Sequence, residues 1–170
     1  PGESVHPIDP EHSRARRKWA DTGDVTLMYS GNLGAGHDLE ALVRAAARLV
    51  DTHQIRLLFI GHGGMRPKLE ALTEELALAC VAFHALAPLS ERGDSLAAGD
   101  IQIVSQREGT QGLLLPSKIY GILAAGRPVL FIGPEDTEIA QMLHRSGAEG
   151  IPGGDHNRFP RRPELAGQFS

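Results

Sequence analysis

The chain has 170 residues, 41% hydrophobic and 22% charged, which is enough for one globular domain with a full-sized core. A formal charge of −4 carries no overall nucleic-acid signature, and a single cysteine, Cys80, excludes an internal disulfide and fits a reducing compartment. Only 5% is aromatic, a balance that favours helix-covered sheets over β-sandwiches. No apolar run approaches the ~20 residues that span a bilayer, and no signal peptide is present, so a cytoplasmic location is expected. The first residue is Pro rather than Met, and a piece of a longer protein is expected.

Residues 1–24, PGESVHPIDPEHSRARRKWADTGD, are expected to be an interdomain linker ending in a short helix. Asp9-Pro10-Glu11 has the form of a helix start, with an N-cap, Pro at the first position and an acid in the first turn. A basic cluster follows, Arg14, Arg16, Arg17 and Lys18, beside Trp19. Such a patch can hold a protein at an anionic leaflet, at about 1 kcal/mol per basic residue near the surface. An ordinary solvated helix is the plainer reading, and a peripheral membrane contact stays open.

From Val25 the pattern becomes regular. Apolar runs of strand length occupy Val25–Tyr29, Arg56–Ile60, Val81–His84, Ile101–Val104 and Pro128–Ile132. Helical periodicity lies between them: Leu39, Leu42, Val43, Ala46, Leu49 and Val50 share one face, and Leu69, Leu72, Leu76 and Ala79 share another. Further helices are expected near Ser90–Ala98, over Pro116–Ala125 and over Glu135–Arg145. Strands apolar throughout, alternating with helices, predict an α/β fold: a doubly wound, Rossmann-like parallel sheet with helices on both faces, spanning residues 25–152. Residues 153–170 have no clear periodicity and are expected to be irregular.

In such sheets ligands bind outside the carboxyl ends of the strands. Three loops at that edge stand out: GNLGAGH after the first strand, GHGGMR after the second, and SQREGTQGLLLPSK after the fourth. Gly-rich turns feeding helices, with Lys118 and Arg66 nearby, describe an anion site built from backbone N–H groups. A dinucleotide fingerprint would need G-x-G-x-x-G and an acid after the second strand, but the glycines here are Gly31, Gly34 and Gly36, and the second strand ends Ile60-Gly61-His62. No Walker A lysine motif is present either.

YSGNLGAGHDLEAL, LLFIGHGGMRPKLE, LAAGDIQIV, PSKIYGILAAGRPVL and EDTEIAQML stand in this order and together cover Val25 to about Gly150. On these stretches the chain resembles the C-terminal, donor-binding domain of GT-B-fold retaining glycosyltransferases of family 4 (group 1), of the bacterial surface-polysaccharide type. The resemblance implies a nucleotide diphosphate-sugar as substrate, with no cofactor and no metal. Its partners would be a separate N-terminal domain that holds a saccharide or lipid-linked acceptor, and no nucleic acid. Carried over by position, Gly31, Asn32, Gly34 and His37 fall in the loop facing the donor diphosphate. Asn32 stands where many relatives have Arg, and His37 at or near their Lys. Arg66, Ser117 and Lys118 are then the expected phosphate contacts, Arg in bidentate fashion and Lys as a point charge. An Arg in a first helical turn opposes the helix dipole, which favours a functional reading over a solvated one.

Phe83, His84, Ala85 and Leu86 match the segment on which the family seats the nucleobase through backbone groups; for the His84 side chain a plain strand end is the preferred reading. Many relatives carry two glutamates eight positions apart, and the matching positions here are Leu113 and Gly121. No catalytic glutamate is therefore transferred; Glu108 in the same loop is a candidate to reach the donor sugar, or is a solvated carboxylate. Thr137 and Glu138 read as a capped first turn. A nucleotide-sugar 2-epimerase of the same fold and a non-catalytic nucleotide-binding module are the alternatives.

Overall fold

The computed structural model describes residues 5–20, 24–110 and 118–145. Five strands form one sheet: β1 (Val25–Ser30), β2 (Ile55–Ile60), β3 (Val81–His84), β4 (Ile101–Ser105) and β5 (Val129–Ile132). All pairings are parallel and the order is β3-β2-β1-β4-β5, a doubly wound arrangement in which the chain runs outward from β1 in both directions. Each expected strand is found, with ends shifted by no more than one residue.

The register aligns the carboxyl ends. Ser30 pairs with Ile60 and Ile60 with His84, so the loops after β1, β2 and β3 leave the sheet side by side. Helices α2 (Leu39–Leu49) and α3 (Arg66–Glu75) cover one face. Their Leu42, Val43 and Leu69 pack with Tyr29, Phe59 and Ile103 of the strands. The other face buries Met28, Leu58, Ile60 and Val104 beneath α4 (Arg92–Leu96), α5 (Lys118–Ala124) and α6 (Glu138–Arg145). Each such buried side chain contributes about 1.5–3 kcal/mol, which is why the strands are apolar on both faces.

Two helix expectations need correction. Asp9 caps only a single 3-10 turn, Pro10–His12, by accepting from the Glu11 N–H. The α-helix of this segment, α1 (Arg14–Trp19), starts instead at Ser13, whose Oγ accepts from the Arg16 N–H. The Asp94 carboxylate accepts from the N–H groups of Arg14 and Ala15, so the first turn is satisfied from outside the segment. Helix α3 stops at Glu75 rather than reaching Ala79, because Ala77 adopts φ +51° and turns the chain. Leu78 takes the core position and Ala79 is exposed.

The described part of residues 1–24 is docked on the domain. Ala15 and Ala20 are buried in the second core cluster, and Arg16 pairs with Asp100 at 2.7 Å. That removes Arg16 from the basic cluster and leaves Arg14, Arg17 and Lys18 exposed. Asp100 also accepts from the Thr26 N–H at 2.8 Å, so one carboxylate joins α1, β1 and the start of β4. Among the described residues no helix is long and apolar enough to cross a membrane. Asp100→Ala should lower stability by about 1–3 kcal/mol, chiefly through the Thr26 N–H left without its acceptor, since half-exposed ion pairs contribute little. Asp100→Asn keeps an acceptor and should cost less; urea unfolding of the two variants checks the difference.

Candidate functional site

The first two loops at the carboxyl edge are bound to each other before they bind anything else. Leu33 N–H donates to His62 O at 2.8 Å, and Met65 N–H to Leu33 O at 2.9 Å. Gly61 has φ +151°, and a Cβ there would overlap the carbonyl oxygen of Gly31. A Cβ on Gly63, at φ +150°, would stand 2.6 Å from Asn32 Oδ1 and press on the Leu33 carbonyl. These two glycines therefore serve loop-on-loop packing. Gly34 lies under the Asn32 side chain, while Gly64 faces open space.

Tyr29, the penultimate residue of β1, is fully buried and donates its hydroxyl to Asn32 O at 2.9 Å. Burial pushes its phenol well above the ordinary value, so it stays protonated. His37 lies beside it, ring centroids 5.6 Å apart and edge-on. Its Nδ1 is 2.6 Å from Ser105 O, and since a carbonyl only accepts, Nδ1 carries the proton. Burial lowers the His37 pKa, the hydrogen bond to Ser105 opposes this, and Lys118 lowers it further. His37 is thus a neutral ring turned inward, which ties the β1 loop to β4 and supplies no fixed cation.

Lys118 opens α5. Among the described residues its Nζ is buried without a hydrogen-bond partner, 3.6 Å from the centre of the Tyr29 ring. The missing Cβ of Gly31 would stand 3.3 Å from that nitrogen. The contact with the ring face is a cation–π interaction that partly offsets desolvation. Burial nevertheless pushes the ammonium down to about 7. Lys118 thus lies directly behind the β1 loop. Ser117 and Leu113 lie outside the described residues.

Arg66 behaves differently. Its Nε bonds Glu70 at 2.7 Å, its Nη1 donates to Gly61 O at 3.1 Å, and its guanidinium lies over the Phe83 ring at 5.7 Å. It braces the ends of β2 and β3, and Glu70 supplies the local countercharge that its place in the first turn needs.

On β3, Phe83 stacks on Phe59 with centroids 5.1 Å apart. His84 stacks on Trp19 of α1 at 5.0 Å and 15° between planes. Its carbonyl accepts from the Gly61 N–H, leaving Ala85 and Leu86 as the exposed residues of the expected base segment. Burial lowers the His84 pKa first, and Lys18, Arg56 and Arg66 add to this, so the ring is neutral. Glu108 sits exposed in a turn closed by Thr110 Oγ1 donating to Arg107 O. Among the described residues nothing lies within 4 Å of where a side chain at Gly121 would begin. Thr137 is the N-cap of α6, accepting from Ala140 N–H at 3.2 Å, and Glu138 is an exposed first-turn acid. Among the described residues no three His, Cys, Asp or Glu side chains converge as metal ligands.

Tyr29 and Trp19 were not among the residues expected here. Tyr29 had a signal: an aromatic with a polar tip at the end of a buried strand, beside a glycine loop. Trp19 had none, because its partner His84 is far away in sequence.

No family model matches the chain. It is 38% identical over 60 residues to a Pseudomonas aeruginosa protein named as glycosyltransferase WbjE, covering 35% of this chain and 15% of that one. It is 33% identical over 116 residues to an Escherichia coli (strain K12) protein named as colanic acid biosynthesis glycosyl transferase WcaI, covering 68% of this chain and 28% of that one. The chain therefore spans only a minor part of either relative. Among solved structures, sucrose-phosphate synthase of Thermosynechococcus elongatus superposes with TM-score 0.69 at 20% identity, over 90% of this chain and 38% of that one. Anabaena HepE, solved with UDP-glucose, gives 0.66 at 14% identity, over 88% and 43%. WaaG, a glycosyltransferase involved in lipopolysaccharide biosynthesis, gives 0.61 at 18%, over 87% and 42%. By sequence the chain is similar to a part of bacterial glycosyltransferases such as WbjE and WcaI, and its α/β fold is that of the matching part of GT-B glycosyltransferases.

Proposed function

We propose that this domain holds the diphosphate of a nucleotide diphosphate-sugar at the joined tips of β1 and β2. It is then the donor-binding half of a retaining glycosyltransferase, moving a sugar to a polysaccharide or lipid-linked acceptor that a separate N-terminal domain holds. One observation carries the reading: among the described residues, Lys118 keeps a buried nitrogen without a hydrogen-bond partner behind the glycine loop. A buried amine in that state costs stability, and an anion arriving at the loop is the partner that would repay it. The charge would then stabilise the diphosphate as it departs, where preorganised electrostatics act most strongly. The lack of a carboxylate at both Leu113 and Gly121 favours the second reading, a binding module without turnover. Donor hydrolysis by the whole protein separates the two.

Lys118→Ala should weaken binding of nucleotide diphosphates and of inorganic diphosphate by about 1.5–3 kcal/mol, the range for charge-assisted hydrogen bonds. Equal weakening for a nucleoside, read by calorimetry, would show that Lys118 does not contact phosphate.

The same lysine sets a pH dependence. Its ordinary value is 10.5 and its folded value about 7, so between these the unfolded chain binds more protons and stability rises with pH. Lys118→Met should remove that rise, as measured by unfolding midpoints from pH 6.5 to 10 (window set by the two values). Diphosphate binding restores the charge, so above pH 7 it should take up a proton and weaken with rising pH. Calorimetry in buffers of different ionisation enthalpy counts that proton.

A further inference from the structure

We infer that Tyr29 is a positioning residue of the diphosphate site: its ring seats the Lys118 amine, and its hydroxyl fixes the peptide unit between Asn32 and Leu33. The inference rests on the proposed diphosphate site and adds a residue of β1 that acts through its neighbours rather than on the ligand.

An ordinary core position asks for apolar volume, and leucine or phenylalanine near the end of β1 would supply it. Tyr29 makes two contacts that volume does not require. Its ring face lies 3.6 Å from the Lys118 Nζ, measured at the ring centre, and its hydroxyl donates to Asn32 O at 2.9 Å. These partners belong to different elements, the first residue of α5 and the loop after β1. One fully buried side chain therefore sets the place of both.

The ring is itself held. His37 meets it edge-on with centroids 5.6 Å apart, and Phe59 lies tilted against it at 6.2 Å. A ring packed against two others keeps its orientation, so the amine has a fixed seat instead of the freedom of a surface lysine. Gly31 leaves room for that seat, since a Cβ there would stand 3.3 Å from Nζ. Beside the amine, Tyr29 stays protonated and His37 is neutral, so neither adds a charge. Burial opposes the ammonium form, and the π-face is the contact that favours it.

The hydroxyl acts on the loop. The peptide unit from Asn32 to Leu33 is bonded at both ends, its carbonyl to Tyr29 and its N–H to the His62 carbonyl at 2.8 Å. Because the hydroxyl comes from a fully buried side chain, it draws the Asn32 oxygen inward. Turned outward, that oxygen would set its negative end against an arriving diphosphate. Cation and loop are thus prepared together by one residue.

The chain has three lysines, Lys18, Lys68 and Lys118, so NMR of isotopically labelled lysine side chains resolves them, and Lys118→Met identifies the third. In the unaltered chain the Lys118 Hε signals should lie upfield of the other two, displaced by the ring face, with a titration midpoint of about 7. Tyr29→Phe keeps the ring and should keep both signatures. Its binding of inorganic diphosphate, read by calorimetry, should weaken about two- to tenfold, the equivalent of one hydrogen bond. Tyr29→Leu should abolish the upfield displacement and lower the midpoint by about one pH unit. Lys118 signals without ring displacement in the unaltered chain overturn the seat, whether or not the leucine variant folds. Undiminished diphosphate binding by Tyr29→Phe overturns the part given to the hydroxyl. If the unaltered chain binds no inorganic diphosphate, the proposed site is wrong and the positioning role falls with it, even where the NMR signatures of the seat are present.

Discussion

The carboxyl edge of this sheet is organised by one close backbone approach, the Gly31 carbonyl lying where a side chain at Gly61 would begin. The loops after β1 and β2 then lock through the bonds of Leu33 to His62 and of Met65 to Leu33. Tyr29 closes the arrangement from beneath by donating to Asn32 O. Ordering two loops rich in glycine costs much conformational entropy. Their mutual hydrogen bonds offset part of that cost and leave a shared, rigid rim. A rim of this kind can present backbone groups to a ligand without rearranging, which is what preorganised binding requires.

Behind the rim lies a charge the fold does not satisfy. Lys118 has the Tyr29 ring as its partner, His37 as a neutral neighbour, and no carboxylate among the groups that shift its pKa. Folding alone would favour a shorter or apolar residue at this position. Local arrangements that cost stability are tolerated where function needs them, and this one lies at the edge where open α/β sheets place their ligands. His37 has the complementary part. Its hydrogen bond to Ser105 anchors the β1 loop to β4, and its neutrality keeps Lys118 from facing a second cation.

The sheet was legible because its signals are local. Runs such as LLFI and VAFH have strand length and no polar alternation, and only a sheet buried on both faces needs such runs. The Thr137 cap was legible for the same reason. The end of α3 was not, since Leu76 and Ala79 fit the helical period and only the left-handed turn at Ala77 breaks it. The glycine loops were half legible. Their position at the strand tips could be read, but which glycines face a ligand and which face another loop depends on packing between segments distant in sequence. Arg66 shows the same limit: its partners, the Gly61 carbonyl and the Phe83 ring, are set by the sheet rather than by neighbours along the chain.

The docking of α1 has a mechanical consequence. A helix of six residues is marginal by itself, so its stability comes from contacts with the rest of the domain. Ala15 and Ala20 supply burial, Asp94 satisfies its first turn, and Asp100 holds Arg16 to the base of β1 and β4. These anchors flank Trp19 along the chain, Ala15 and Arg16 before it and Ala20 after it, so the indole moves with the sheet and not with the chain before it. Should a second domain close over the site, as the proposed transferase requires, the bend has to fall outside Ser13–Ala20. The stack of Trp19 on His84 would then keep its geometry in open and closed forms.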